Sequence, residues 1–321
     1  MATGIPVKKA NSRFGRKGLW GTLWFQRELL LMSIPLVIYK FIFSYVPLRG
    51  WVMAFQNFRP AAATQQWVGL KNFTDLFSDT VTGEAFRNSL VNTLGQSILT
   101  MALGYICAIG LSLLLNELRH VGLKRVIQNI VYMPHFLSWI IVAGLVSVSL
   151  SSDGGIINEV LLKLHIVQEP IRFLGEAGYF WGIVAGSHLW KELGWNTIIY
   201  MAAMTAIDGT LYEAASIDGA NRYHKMWHIT LPCIRPTIVI LMMMSLGYLL
   251  ESGFELQLLL GNKGVVKSTA ENLDLFVYNY GIGSQRYSLA TTAGMFKTLV
   301  SIFLVSSANF IAGKLGEEKL M

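Results

Sequence analysis

The sequence predicts an all-α membrane protein, a bundle of six transmembrane helices, and three observations carry that expectation. Only 14% of the 321 residues are charged and 53% are hydrophobic, whereas a soluble domain carries about 25% charged residues. Six mostly apolar runs, 29–53, 90–116, 126–150, 180–205, 236–256 and 289–312, each match the roughly 20 residues that cross a hydrocarbon core about 30 Å thick. No run is made of alternating ten-residue strands, which sets a β-barrel aside.

The elements follow in order. Residues 1–28 form a basic tail carrying Lys8, Lys9, Arg13, Arg16, Lys17 and Arg27. The first apolar run starts near residue 29 without a small-residue cleavage site, so no signal peptide is expected. Cytoplasmic loops collect Lys and Arg, which places this tail inside and, with six spans, the 314–321 tail inside too. The loops after spans two and four agree, with Arg119, Lys124 and Arg125 in one and Arg222, Lys225 and Arg235 in the other. The outer loops spread Arg59, Lys71 and Arg87, then Lys163 and Arg172, then Lys263, Lys267 and Arg286 over longer stretches. Trp20 and Trp24 precede span one, Trp51 ends it, and Tyr179 and Trp181 open span four, as an interfacial aromatic belt requires. The net charge of +7 thus belongs to membrane orientation and not to nucleic acid.

The inner connection 207–235 is not composed like a linker. Thr210 and Glu213 have the spacing of a capping box for a short helix over Leu211–Ile217. Asp218-Gly219 supplies a stop, because glycine tolerates the left-handed conformation. Asn221 can cap a second helix bearing Arg222, Tyr223 and Lys225, and Pro232 and Pro236 punctuate the return into the membrane. Ala214, Ala215 and Gly219 leave room for another protein's groove to approach the backbone. An interfacial helix resting on lipid headgroups is the alternative.

Glu213-Ala214-Ala215, Gly219 and Ile229-Thr230-Leu231-Pro232 together resemble the EAA signature of ABC importer permeases. Trp67-Val68-Gly69-Leu70-Lys71-Asn72-Phe73 and Asn92-Thr93 resemble segments of the sugar-importer subgroup. So do Tyr132-Met133-Pro134-His135-Phe136-Leu137-Ser138-Trp139 and Trp190-Lys191-Glu192-Leu193-Gly194-Trp195. The likeness is to permeases for large oligosaccharides and polysaccharide fragments, such as those of alginate and rhamnogalacturonan importers, and it covers nearly the whole chain from about residue 28. It implies a type I ABC importer permease fold in a bacterial plasma membrane. The 29–313 permease domain would include the coupling loop. Glu213, Ala214, Ala215, Asp218, Gly219, Ile229, Leu231 and Pro232 would dock on a cytoplasmic ABC ATPase dimer. A homologous second permease, an extracytoplasmic sugar-binding protein and an oligosaccharide substrate are implied as partners.

No G-x-x-x-x-G-K-[ST] phosphate loop occurs; Gly261–Lys267 and Gly313–Lys319 have the wrong order. The chain is therefore expected to be a non-catalytic subunit that binds no cofactor itself, with ATP and Mg on the partner ATPase. Its histidines are scattered, and His224 and His228 share an i, i+4 face without the Glu of a zinc protease, so no metal is expected. Cys107 and Cys233 read as small buried hydrophobes.

Ionisable residues inside a membrane are costly and default to function. Lys191 and Glu192 fall mid-span in the fourth run, Glu251 and Glu255 near the outer end of the fifth, Lys297 in the sixth and Lys40 in the first. Aromatic rings beside hydrogen-bonding groups suit a sugar. The pathway candidates are Trp190, Trp195, Asn196, Glu251, Phe254, Glu255 and Gln257. Pairing within the bundle is the competing reading, favoured for Lys191, Glu192 and Lys297. A secondary transporter, which would show inverted repeats and broken helices, and an importer permease for a non-sugar solute are the alternative functions.

Overall fold

The computed structural model describes residues 26–78, 80–251, 253–261 and 264–314. The basic tail through residue 25 with Trp20 and Trp24, Lys263, and residues 315–321 with Lys319 lie outside the described residues. The chain divides into two units, Met1–Val52 and Met53–Met321.

The described part of the first unit belongs to helix α1 (Arg27–Phe55), whose last residues lead into the second unit. From Leu29 to Val46 its apolar side chains are exposed on every face, Leu29, Met32 and Leu36 being 65%, 74% and 71% exposed, as on a helix whose solvent is lipid. The helix is not uniform: Phe41–Tyr45 is a π turn. Pro47 lies just beyond it, and proline has no N–H for the carbonyl four residues back, which the wider turn accommodates.

The second unit opens with a two-residue antiparallel ladder, β1 (Gln56–Asn57) against β2 (Gln66–Trp67), and a short α2 (Lys71–Leu76). Then comes α3 (Val81–Glu117), 37 residues capped at its start by Thr80. At about 1.5 Å per residue it is longer than a hydrocarbon core is thick. It packs along α7 (Phe180–Thr205), where Gly95 lets Trp181 lie against the α3 backbone. Phe86, Leu76, Leu250, Leu273, Phe276 and Leu289 form one buried cluster, and Phe180, Val184, Leu256 and Ala270 belong to a second.

Between α3 and α7 the expected straight span 126–150 is replaced by a broken one. Helix α4 (Val121–Tyr132) and a 3-10 turn, Met133–Phe136, meet α5 (Trp139–Ser149) at 103°. Met133 before Pro134 stays helical, and the chain turns at Leu137, φ −76 and ψ 141, after which Ser138 caps the new helix by accepting from the Ile141 N–H. A loop containing α6 (Ile156–Lys163) follows.

After α7 come α8 (Gly209–Ile217) and α9 (Arg222–Gly247). The expected span 236–256 is displaced: α9 begins with Arg222 and runs through Pro232 and Pro236 without a break. A π turn, Met226–Thr230, absorbs the missing N–H of Pro232, so this proline does not interrupt the helix. Cys233 is exposed on α9, not buried as expected, and Cys107 is partly buried.

The helix ends at Gly247, and the described residues between 248 and 286 fold as short turns around α10 (Leu273–Tyr278) before α11 (Tyr287–Lys314). Glu251 and Glu255 therefore do not share a face of span five. Gly253 breaks the run with φ +77, its missing Cβ making space for the His188 ring. Irregular backbone at membrane depth needs partners from the protein, and α3 supplies them. Asn92 Nδ2 donates to the Ser268 and Glu271 carbonyls at 2.7 and 3.0 Å. Gln96 Nε2 donates to the Thr269 carbonyl at 3.0 Å, and Thr93 Oγ1 accepts from the Leu273 N–H at 2.8 Å. The Trp181 indole adds a bond to Thr269 at 3.2 Å.

Among the described residues, four helices are long and apolar enough to cross a membrane, or five if the bent α4–α5 pair is one span. Helix α7 is not among them, because it carries the polar chemistry of the site.

Candidate functional site

A cavity of 310 Å³ opens between α3, α7 and α9. Ser97, Thr100 and Tyr105 face it from α3, His188, Glu192, Asn196 and Tyr200 from α7, and Ser245 from α9, with Tyr248 and Glu251 just past the α9 end. Hydroxyls and amides alternate with Met101, Leu189, Leu193 and Leu241, a lining suited to a ligand with polar edges and apolar faces. The Tyr105 and Ser245 hydroxyls bond across it at 2.6 Å. Ser97 Oγ is buried with no hydrogen-bond partner among the described residues, so a ligand hydroxyl there would answer an unmet need.

The charges on α7 are held in a network that sequence spacing did not reveal. Lys191, 6% exposed, donates from Nζ to Glu192 Oε1 at 3.0 Å and to the His135 carbonyl at 2.7 Å. Glu192 Oε2 lies 2.7 Å from His135 Nδ1. The His135 ring stacks on Trp195 at 4.3 Å, Lys191 sits 5.1 Å from the Trp139 ring centre, and Trp139 touches His188 at 4.4 Å. Lysine thus satisfies a carbonyl freed where the chain leaves the helix at Leu137, and Glu192 neutralises the lysine. Gly194 makes the arrangement possible: a side chain there would collide with the Val131 carbonyl of α4. A second pair ties the turns to α11, with Lys297 2.5 Å from Asp274 and 3.7 Å from Glu251.

Among the residues named as pathway candidates, Asn196 and Glu251 line the cavity. Trp190 is 47% exposed and Trp195 is 45% exposed, and neither lines it. Phe254 packs on Tyr278, Glu255 is exposed, and Gln257 is fully buried with its amide 2.9 Å from Gln96. Lys191, Glu192 and Lys297 are paired within the bundle. Lys40 lies in α1, in the last turn before its π segment.

Directly after α7, α8 and the start of α9 form a helical hairpin. Asp208, not Thr210, is the N-cap: its carboxylate accepts from the Thr210 N–H at 3.0 Å. Hydrogen bonds from Thr210 hold the Asp208 carboxyl below its ordinary range. Helix α8 closes on Gly219 in the left-handed conformation, φ +79, with the Ala220 N–H bonded back to the Ala215 carbonyl at 2.8 Å. Asn221 caps α9 through the His224 N–H at 2.9 Å. Tyr212 and Thr230 hydroxyls, 2.9 Å apart, lock the two arms. Glu213, Ala214, Asp218, Gly219 and Pro232 are exposed on the hairpin, while Ala215, Ile229 and Leu231 are partly buried within it. Ile217, Tyr223 and Trp227 stand out at 88%, 71% and 64% exposure.

The comparisons with known proteins agree with one another. The family described as binding-protein-dependent transport system inner membrane component matches residues 100–316. The chain is 43% identical over 305 residues to the polygalacturonan/rhamnogalacturonan transport system permease protein YteP of Bacillus subtilis (strain 168), covering 94% of this chain and 93% of that one. A crystal structure of a bacterial ABC transporter involved in the import of the acidic polysaccharide alginate contains a chain 37% identical, with a TM-score of 0.84 over 92% of this chain and 98% of that one. A second, of a bacterial alginate ABC transporter in complex with an alginate pentasaccharide-bound periplasmic protein, gives 36% identity and a TM-score of 0.85, covering 95% and 100%. Sequence over most of the chain and fold over nearly all of it therefore converge, and the chain belongs to the family of binding-protein-dependent transport system inner membrane components.

Proposed function

We propose that this chain is a permease subunit of an ATP-driven importer that moves oligosaccharides from an extracytoplasmic binding protein into the cytoplasm by alternating access. The single observation that carries the reading is the continuity of α7: its middle lines the polar cavity, and its end leads through Asp208 into the exposed α8–α9 hairpin. The hairpin is the surface on which a cytoplasmic ABC ATPase dimer docks, through Glu213, Ala214, Ala215, Asp218, Gly219, Ile229, Leu231 and Pro232. ATP and Mg belong to that partner, and this chain is not catalytic. A homologous second permease completes the pathway, in which Asn196 and Glu251 face the sugar.

In this reading six spans cross a bacterial plasma membrane with both termini inside: α1, α3, the bent α4–α5 pair, α7, α9 and α11. Residues 1–28 and 314–321 are cytoplasmic tails around the 29–313 permease domain. The relatives that serve polygalacturonan, rhamnogalacturonan and alginate support the oligosaccharide class.

The test is uptake together with ATP hydrolysis by the purified complex. Gly219→Asp puts a side chain on left-handed backbone at the docking surface, and Glu213→Lys reverses a charge there. Both variants should assemble in the membrane yet lose uptake and binding-protein-stimulated hydrolysis. Normal transport by both would remove the hairpin from the coupling path.

A further inference from the structure

The Tyr105 and Ser245 hydroxyls, 2.6 Å apart, join α3 to α9. These two helices meet across the cavity, whereas α3 packs along α7, and α9 packs on α7 and α11. Along them the bond stands between one end of the cavity, lined by Ser97, Tyr248 and Glu251, and the other, lined by Ala108 and Leu241. A ligand that moves along α3 past residue 105 therefore has to part it.

The two partners depend on the bond unequally. A serine hydroxyl carries one proton, and Ser245 Oγ donates it to the Leu241 carbonyl of its own helix at 3.0 Å. Ser245 is thus the acceptor of the pair and Tyr105 the donor. When the helices part, Ser245 keeps its Leu241 bond, while the Tyr105 proton, in a partly buried site, loses its acceptor. An unmade bond there is unfavourable. A sugar hydroxyl, which donates and accepts, can take that proton over. The wall beside Tyr105 leaves room for it: Gly104 lines the cavity, and a Cβ there would meet nothing within 4 Å. About 12 Å back along the same side of α3, Ser97 Oγ is buried without a hydrogen-bond partner among the described residues. Helix α3 thus offers one hydroxyl that needs a partner and one that can change partner.

We propose that Tyr105 is an exchangeable latch: its hydroxyl ties α3 to α9 and passes to a hydroxyl of the oligosaccharide as the sugar moves by. One bond replaces another, and Tyr105 selects for a hydroxyl at that point of the sugar chain. The proposal rests on the importer reading above, which makes this cavity the sugar path. The exchange has a signature that a merely structural bond lacks. In the parent, sugar binding gains a bond to Tyr105 and loses the latch. Ser245→Ala removes the latch in advance and leaves the Tyr105 hydroxyl to the sugar. Tyr105→Phe removes both bonds and keeps the ring.

The experiment uses the assembled importer in nanodiscs, without binding protein or nucleotide. Short fragments of polygalacturonan, rhamnogalacturonan and alginate serve as probes, and their affinity is read by equilibrium dialysis. For a fragment that the parent binds, Ser245→Ala should bind about fivefold more tightly, the contribution of one net hydrogen bond. Tyr105→Phe and the double variant should bind like the parent. Parent-like or weaker binding by Ser245→Ala would overturn the proposal. So would a double variant that binds more tightly than the parent, because the gain would then not pass through the Tyr105 hydroxyl. A parent that binds none of the fragments, while a binding protein still stimulates its hydrolysis, would overturn the proposal and leave the importer reading standing. A parent complex that no binding protein stimulates would overturn the importer reading, and this proposal with it.

Discussion

Lys191 shows how one charge can be kept inside a membrane helix. Its ammonium meets a carboxylate, a backbone carbonyl and an indole face, 3.0, 2.7 and 5.1 Å away, and so replaces most of what water would provide. The balance is of a buried ion pair: removing one member costs more than the pair contributes, because the other charge is stranded. Lys191→Met should therefore destabilise the protein by about 3 kcal/mol, read as a lower midpoint of SDS-induced unfolding. Adding Glu192→Gln in the same chain should recover most of that loss. A double variant no more stable than Lys191→Met would mean that the lysine acts through its bond to His135 alone. In the sequence Lys191 and Glu192 stood out as intramembrane charges, and pairing was the favoured reading. Their pairing with His135 did not stand out, since that residue lies 57 residues from Glu192 and the 3-10 turn Met133–Phe136 places it there.

Elements were legible where a single apolar run makes a single helix. The runs at 29–53, 180–205 and 289–312 correspond closely to α1, α7 and α11. Two spans were misread, both through proline. The 3-10 turn that holds Pro134 ends at an extended Leu137 and so breaks a run that hydropathy joins, while Pro232 and Pro236 leave intact a helix that their presence seemed to divide. Propensity alone cannot separate these outcomes, because a π turn such as Met226–Thr230 depends on what packs beside it. The 248–261 stretch deceived for another reason: Leu249, Leu250, Leu256 and Leu258–Leu260 are as apolar as a spanning helix, yet Gly253 turns the chain left-handed. The turns that follow are held from α3, whose buried Asn92, Thr93 and Gln96 bond to the backbone of residues 268–273. Asn92→Leu leaves the Ser268 and Glu271 carbonyls without their donor and should cost about 2 kcal/mol. The loss is local: amide exchange over 266–274 should quicken while α3 and α7 stay protected. Unchanged exchange there would show that the remaining bonds from Gln96, Thr93 and Trp181 suffice.

For the whole molecule the open question is how many times the chain crosses the membrane, and it turns on the 103° bend between α4 and α5. A pair bent so sharply can pass through as one broken span, or enter and leave on the same side. The two cases give different sidedness patterns at four exposed basic positions, Lys71, Arg119, Arg172 and Arg222. Helix α3 separates the first two, the bent pair the next two, and α7 the last two. If the pair crosses, positions 71 and 172 lie outside and 119 and 222 inside, as the concentration of Lys and Arg in the 117–125 and 219–235 loops demands. If it is re-entrant, 172 joins 119 inside and 222 moves outside, which would put the α8–α9 hairpin on the wrong side for a cytoplasmic ATPase. Single cysteines at these positions, in a background with Cys107 and Cys233 replaced by serine, distinguish the two. A membrane-impermeant maleimide should label 71 and 172 on intact cells, and 119 and 222 only after permeabilisation. Labelling of 222 on intact cells would remove the physical basis for coupling, whatever the family resemblance.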